Sequence, residues 1–122
     1  MIKKLKIFVT NILLFIIAMI LVVIFFGIGL LTAFISIIFY GTSTNYFLDL
    51  ALILDIFGNV VCQHFFNVLL IKKTSIHKFG IIDYTISKTL GLNQRDETLT
   101  RIGILLVKIL DLIEKDHCLK CI

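Results

Sequence analysis

The chain has 122 residues, 59% of them hydrophobic, and contains neither proline nor tryptophan. This hydrophobic fraction exceeds that of ordinary soluble domains, and two membrane spans would leave a tail near the lower size limit of an independent domain. The formal net charge is +4, but the tail from Thr74 onward holds seven basic and six acidic residues and is almost neutral. The composition thus excludes a large soluble core and argues against a nucleic-acid-binding protein, which needs a basic face.

Residues 7–48 form a run of 42 residues without Asp, Glu, Lys or Arg. A helix needs about 20 apolar residues to cross a bilayer core about 30 Å thick. The run therefore predicts a first transmembrane helix over residues 7–40, with a bend at 27–29, where two glycines lower helix stability. The alternative is a break at these glycines. The run is far longer than the apolar core of a signal peptide, so we expect an uncleaved anchor.

The second apolar segment predicts a transmembrane helix over residues 46–71, after an uncharged external turn at 41–45. Its 26 residues would span about 39 Å as a helix. Basic residues flank the two spans on the same side of the membrane, and by the positive-inside rule they place both termini in the cytoplasm. These topology-setting residues are Lys3, Lys4 and Lys6 in the basic flank 1–6, and Lys72, Lys73 and Lys78 after the second span.

The remainder of the chain predicts a basic linker over 72–82, then two short amphipathic helices and a C-terminal tail over 83–122. Asp83 is a candidate cap for the first helix, and Gly91 stands where a glycine commonly ends one. Asp96, Thr98 or Thr100 can cap the last helix, whose apolar residues recur at three- and four-residue intervals up to about Lys115. The predicted fold is an all-α membrane protein, a two-span helical hairpin with a small helical cytosolic tail.

A row of polar residues gives the clearest local signal in the second span. Asp55, Asn59, Gln63 and Asn67 recur at every fourth position, so they share one side of a helix. We expect this row to bond to another helix, in the same chain or another copy, because amide side chains link helices within membranes. A water-filled path in an oligomeric pore is the alternative. An ion site pairing Asp55 with His64 is disfavoured, since the two lie about half a turn apart around the helix.

The C-terminal residues His117, Cys118 and Cys121 contain a C-x-x-C spacing that can supply two zinc ligands, with the histidine as a third. Free cysteines are the favoured interpretation, because a structural zinc site needs four ligands and a cytosolic tail keeps thiols reduced. Metal binding and redox sensing are the alternatives. We expect no cofactor.

Residues 84–101 have the outline of a helix-turn-helix, but their connection is too long and their face is not basic. The sequence also lacks a dinucleotide-binding glycine motif, a P-loop, a zinc-protease motif and a nucleophile with a plausible base. We therefore expect a non-enzymatic protein.

The pattern of the C-terminal half resembles small uncharacterised membrane proteins of tailed phages and prophages in Gram-negative bacteria. The resemblance covers the chain from about Asp55 to its end. The residues that carry it are Phe79-Gly80, Thr85-Ile86-Ser87, Leu90-Gly91, Asn93-Gln94-Arg95-Asp96, Thr98-Leu99-Thr100-Arg101 and His117-Cys118. The two-span topology with both ends in the cytoplasm is similar to that of class II holins.

Three functional hypotheses follow. The first is a small non-enzymatic protein of the bacterial inner membrane that associates with itself or with another membrane protein through its helices. The second is a holin-like pore-forming protein of a phage lysis system. The third is a membrane-tethered regulator with a helix-turn-helix-like tail. The expected partners are the lipid bilayer and a second copy or another membrane protein, and no nucleic acid is expected.

Overall fold

The computed structural model describes residues 1–41 and 45–122, and within these ranges the protein is all-helical apart from one isolated antiparallel bridge between Ile71 and Leu99. The helices described there are α1 (Ile2–Tyr40), α2 (Tyr46–Val61), α3 (Gln63–Leu69), α4 (Ile86–Arg95), α5 (Arg101–Ile113) and α6 (His117–Lys120). The all-α prediction is confirmed. The chain divides into two compact units, Met1–Tyr46 and Phe47–Ile122.

The first unit is dominated by α1, a single helix of 39 residues that is long and apolar enough to cross a membrane. It includes most of the predicted basic flank and runs through Gly27 and Gly29 without interruption, so the alternative of a break at the glycines is wrong. Its end agrees with the sequence prediction, because Gly41 follows it in a left-handed conformation with φ of 61°. The predicted external turn falls largely on residues 42–44, which lie outside the described ranges.

The second apolar segment is not one continuous helix, contrary to the prediction for residues 46–71. It consists of α2 and α3, which meet at Cys62 and are bent by 76° relative to each other. Neither proline nor glycine stands at the bend. Instead, the Gln63 side chain donates from Nε2 to the carbonyl oxygen of Val60 at 3.0 Å. This bond stays within the bent turn, and the bend brings Asn59 and Asn67 to the adjacent residues Gly80 and Phe79.

The connection between α3 and α4 consists of turns, and the helix after it differs from the prediction at both ends. Thr85, rather than Asp83, caps α4, since its side chain accepts a hydrogen bond from the backbone N–H of Lys88 at 2.9 Å. The helix continues through Gly91 as far as Arg95. The residue with a left-handed conformation after the end of α4 is Glu97, with φ of 56°, and not the predicted Gly91.

Thr100 fixes the start of α5 and ties it to the end of α3. Its Oγ1 accepts from the backbone N–H of Gly103 at 3.1 Å and donates to the carbonyl oxygen of Leu69 at 2.6 Å. Thr100 is one of the caps that the sequence suggested. The core of the second unit lies beneath this junction and comprises Leu70, Ile71, Phe79, Leu90, Leu99, Val107 and Cys118.

Gly91 is required because α4 and α6 approach each other closely. A Cβ atom built at this position would overlap the backbone carbonyl of Cys118. Cys118 itself is fully buried, with 0% of its surface exposed. The glycine in the middle of α4 therefore serves helix packing, and it does not end the helix.

We predict that Gly91→Ala displaces α6 and exposes the Cys118 thiol. Overpacking of this kind costs about 1–3 kcal/mol, which should make alkylation of Cys118 about tenfold faster. In the native protein this thiol should react slowly, because burial raises its pKa to about 12. The measurement is maleimide labelling of Cys118 followed by mass spectrometry.

Gly58→Ala is the matched control for this labelling experiment. The atom nearest to a Cβ at Gly58 is the tip of the flexible Ile86 side chain, at 3.0 Å. That side chain can move aside, so labelling of Cys118 should change little. Equal acceleration by the two substitutions would contradict the assigned packing of Gly91.

Candidate functional site

The polar row of the second apolar segment bonds to the chain's own backbone. We call Asp55, Asn59, Gln63 and Asn67 the polar clasp, because their side chains contact the segment 79–86 from both arms of the α2–α3 bend. The segment 79–85 lies outside the helices and forms no sheet, although one turn bond joins the Tyr84 N–H to the Ile81 carbonyl oxygen at 3.0 Å. Its backbone groups therefore need partners from side chains.

Asn59 is the centre of the polar clasp and is completely buried. Its Nδ2 donates to the carbonyl oxygens of Ile81 and Tyr84 at 2.8 and 2.7 Å. Its Oδ1 accepts from the backbone N–H of Gly80 at 3.2 Å. Both amide protons and the amide oxygen of this side chain are thus used within the chain.

Asn67 binds the other end of the segment from α3. Its Oδ1 accepts from the backbone N–H of Phe79 at 2.8 Å, and its Nδ2 donates to the carbonyl oxygen of the same residue at 3.1 Å. This two-bond pairing resembles the exchange between facing residues in a β-ladder. The Phe79 ring packs edge-on against Phe66 at a centroid distance of 5.3 Å, so the polar pairing and the core share one residue.

Asp55 and Gln63 complete the polar clasp at two other points. The Asp55 carboxylate accepts from the backbone N–H of Ile86 at 3.0 Å, at the first turn of α4. A negative charge is favourable there, because unpaired N–H groups and the helix dipole make a helix N-terminus positive. The Gln63 side chain lies against Gly80, where an added Cβ would overlap it. Gly80 also has φ of 107°, which only glycine adopts readily.

The spacing predicted one polar helix face that bonds to another helix, whereas three of its four side chains bond to the backbone of the segment 79–86. A row at every fourth position indicates one polar helix face and does not specify what that face contacts. The available signal was Phe79-Gly80, a glycine beside an aromatic residue in a stretch with weak helical periodicity. Such a stretch, if buried, has backbone groups that an amide row can satisfy.

Asn93 forms a second buried polar centre, which the sequence pattern did not predict. Its Nδ2 donates to the carbonyl oxygens of His77 and Thr89 at 2.8 and 2.9 Å. Its Oδ1 accepts from the hydroxyl groups of Ser75 and Thr98, the latter at 2.6 Å. One buried amide therefore joins α4 to the turns before and after it.

Ionic contacts hold the exposed end of the same region. Asp96 lies 2.8 Å from both His77 Nε2 and Arg95 Nε. The hydrogen bond from Arg95 is the main reason that the pKa of Asp96 is below its ordinary value of 3.8. The contacts are solvent-exposed, so they order the surface and add little stability.

The six flanking lysines take three kinds of position. Lys3, Lys4 and Lys6 lie exposed in the first turns of α1. Lys72 and Lys78 donate from Nζ to backbone carbonyl oxygens, of Glu97 at 2.9 Å and of Lys73 at 3.3 Å. Lys73 itself is exposed. Their role in setting the membrane topology stays a prediction.

His117, Cys118 and Cys121 do not form a metal site in the structure. The described ranges contain no group of three His, Cys, Asp or Glu side chains arranged to hold a metal ion. His117 Nδ1 instead lies 3.0 Å from Glu114 Oε2, and Cys118 is buried in the core. Cys118 lies in the short helix α6 and points inward, whereas Cys121 directly follows this helix and is half-exposed.

A cavity of about 540 Å³ opens beside the polar clasp. One side consists of apolar residues of α2, among them Leu48 and Leu52, and the other includes Asp83, Lys88 and His117. Asp55 also reaches it. Its lining therefore combines an apolar wall with charges of both signs.

No protein-family model matches the chain, and comparisons with curated proteins and with solved structures found no significant match. The resemblance to phage membrane proteins therefore stays a prediction, and function has to be argued from the geometry.

We predict that Asn59→Leu destabilises the second unit strongly. The substitution leaves the Tyr84 carbonyl and the Gly80 N–H without their partner, while the Ile81 carbonyl keeps its bond from the Tyr84 N–H. Each unsatisfied buried group costs about 1–3 kcal/mol. The expected loss is about 3 kcal/mol in the free energy of unfolding, measured by urea denaturation in detergent micelles. Amide hydrogen exchange in the segment should accelerate in parallel.

Gln63→Leu serves as the control for this substitution, since the bond from Gln63 stays within its own helical turn. It should cost about 1 kcal/mol, the value of a single hydrogen bond. A result in which both leucine variants lose the same stability would show that Asn59 does not hold the segment.

Proposed function

We propose that the chain is a small non-enzymatic protein of the bacterial inner membrane that acts by helix–helix association, with itself or with another membrane protein. The observation that carries the proposal is the long helix α1. It has 39 residues, is apolar along almost its whole length, and contains no buried residue in the described part of the chain. A helix of this kind in a membrane is covered either by lipid or by another helix.

The bonding of the polar clasp supports α1 as the contact surface. The polar row in α2 and α3 was the first candidate for association, but the amides of Asn59 and Asn67 are occupied by the backbone of the segment 79–86. Groups that are already bonded gain little from a second helix. The polar row of the second apolar region is thus already bonded, whereas α1 carries exposed apolar residues along most of its length.

One side of α1 is suited to close approach of a second helix. Gly29, Ala33 and Ser36 lie on the same side at intervals of four and three residues. Within the described part of the chain, nothing lies within 4 Å of a Cβ built at Gly29. Small residues four apart let two helix backbones come together in a membrane, where packing rather than the hydrophobic effect drives association.

The proposed topology follows from the lysines and from the α2–α3 pair. Lys3, Lys4 and Lys6 keep the start of α1 in the cytoplasm. A second crossing by the bent pair, with both termini cytoplasmic, stays a prediction from the sequence, because Lys88 and His117 line a cavity together with Leu48 and Leu52 from the predicted external end of α2. The pair passes the length and hydropathy requirement for a span only when its two helices are taken together.

The holin-like and DNA-binding alternatives receive less support. A water-filled pore would need polar groups that are free to face water, whereas those of the polar clasp bond to backbone. A regulator would need a basic reading helix, whereas α5 presents large apolar side chains, among them Leu105 and Leu112.

The test is Gly29→Leu in the full chain, with copy-to-copy and copy-to-partner crosslinking in native membranes. Amine-reactive reagents can use Lys3, Lys4 and Lys6 at one end of α1. A leucine on the packing side should weaken association about fivefold, equivalent to about 1 kcal/mol.

Gly27→Leu is the matched control, because Gly27 lies about 200° around the helix from Gly29 and also has nothing within 4 Å. The two variants add the same side chain to the same apolar stretch, so their insertion into the membrane should be equal. Crosslinks that survive in both variants, or disappear in both, would contradict association through this side of α1.

A further inference from the structure

The outer side of α5 is an apolar surface that the second unit does not cover. The sequence predicted an amphipathic helix here, and its inner side does pack, through Gly103, Val107 and the half-buried Leu106 and Leu110. The outer side carries large exposed apolar residues, namely Ile102 (48% exposed), Ile104 (45%), Leu105 (58%), Ile109 (49%), Leu112 (87%) and Ile113 (83%). Contiguous apolar surface of this kind marks a contact with a partner or a membrane.

The charges on this surface are all positive. Arg101 and Lys108 are exposed and lie seven residues apart, on the same side as Leu105 and Leu112. The single acidic residue of α5, Asp111, is engaged elsewhere, since its Oδ1 accepts from the backbone N–H of His117 at 3.2 Å. The surface thus combines large apolar side chains with basic ones whose long stems can reach around them.

We propose that this side of α5 lies in the interface of a bilayer that contains anionic phospholipids. Apolar side chains enter the acyl boundary while arginine and lysine remain at the phosphate level, which is the arrangement of amphipathic membrane-surface helices. Anionic headgroups supply the complementary charge. The inference needs only that α1 resides in the membrane, and it is independent of the proposed association.

Charge distinguishes this occupant from a second copy of the chain. A two-fold symmetric contact places the same patch on both sides, so Arg101 and Lys108 of each copy would face a helix side whose own charged residues are the same two basic ones. The acidic Glu97 lies only at the edge of the patch, beside Ile104. An anionic leaflet has no such conflict. Attachment through α1 also holds α5 close to a bilayer, so that a short helix with modest intrinsic affinity can stay bound.

The experiment uses Leu105→Trp in the full chain. The protein contains no native tryptophan, so this residue alone gives the fluorescence signal. The protein is reconstituted in vesicles of phosphatidylcholine with 30% phosphatidylglycerol, or of phosphatidylcholine alone, and quenched by brominated phospholipid or by aqueous acrylamide. We expect brominated lipid to quench at least about twofold more strongly in the anionic vesicles. Both leaflets have the same composition, so the orientation of the inserted protein does not matter.

The variants Arg101→Gln and Lys108→Gln, combined in the Leu105→Trp chain, should abolish the difference between the two vesicle types. The control combines Lys88→Gln with Lys120→Gln, which changes the net charge by the same amount but away from this side of α5. This control should keep the difference in quenching between the two vesicle types. Protection of Cys118 from alkylation verifies that each variant is folded.

Three results would overturn the proposal. Quenching by acrylamide alone would place the surface in water. Resistance to both quenchers would mean that protein, either a second copy or another partner, covers it. Equal quenching by brominated lipid in the two vesicle types would remove the role of anionic lipid.

Discussion

The second unit depends on hydrogen bonds to the backbone of one irregular segment. Residues 79–85 form neither helix nor sheet, yet they pack against Asn59, which is fully buried. Buried backbone groups without partners are strongly unfavourable, so a segment of this kind is stable only where side chains replace the missing ladder. Asn59 and Asn67 provide that replacement, each with bonds to both backbone N–H and C=O groups.

The bend between α2 and α3 follows from the same requirement. Asn59 and Asn67 are eight residues apart, more than two turns of a straight helix. Both nevertheless bond to the adjacent residues Phe79 and Gly80, because a 76° bend lies between them. Tertiary hydrogen bonding thus explains a kink at Cys62, where the local sequence contains neither proline nor glycine.

Features that depend on local chemistry could be predicted from the sequence. The apolar run and Gly41 identified α1 and its end, and Thr100 was among the candidate caps of α5. Features that depend on contacts distant in the chain could not. Gly91 has the position of a helix terminator, but it lies inside α4. A glycine is needed there because the Cys118 backbone leaves no room for a Cβ atom.

The polar row shows the same limit at the candidate site. Its four members were found because a period of four residues is local, whereas the segment that they bind lies 12 to 31 residues further along the chain. The C-x-x-C spacing left metal binding open as an alternative to the favoured free cysteines. It indicates metal ligands only if both thiols point to one place, and α6 turns Cys118 into the core instead.

The polar clasp also bears on how a helix with a polar row could reside in a membrane. Asp and Asn side chains exposed to lipid are costly, and this cost falls when they are bonded within protein. In α2 and α3 the polar groups face the segment 79–86, and the opposite surface carries exposed apolar residues such as Phe57, Val61, Phe65 and Val68. An apolar outer surface with its polar groups bonded on the inside meets the physical requirement of a lipid-facing element. Hydropathy alone could not show this division, because it does not say which way a polar row points.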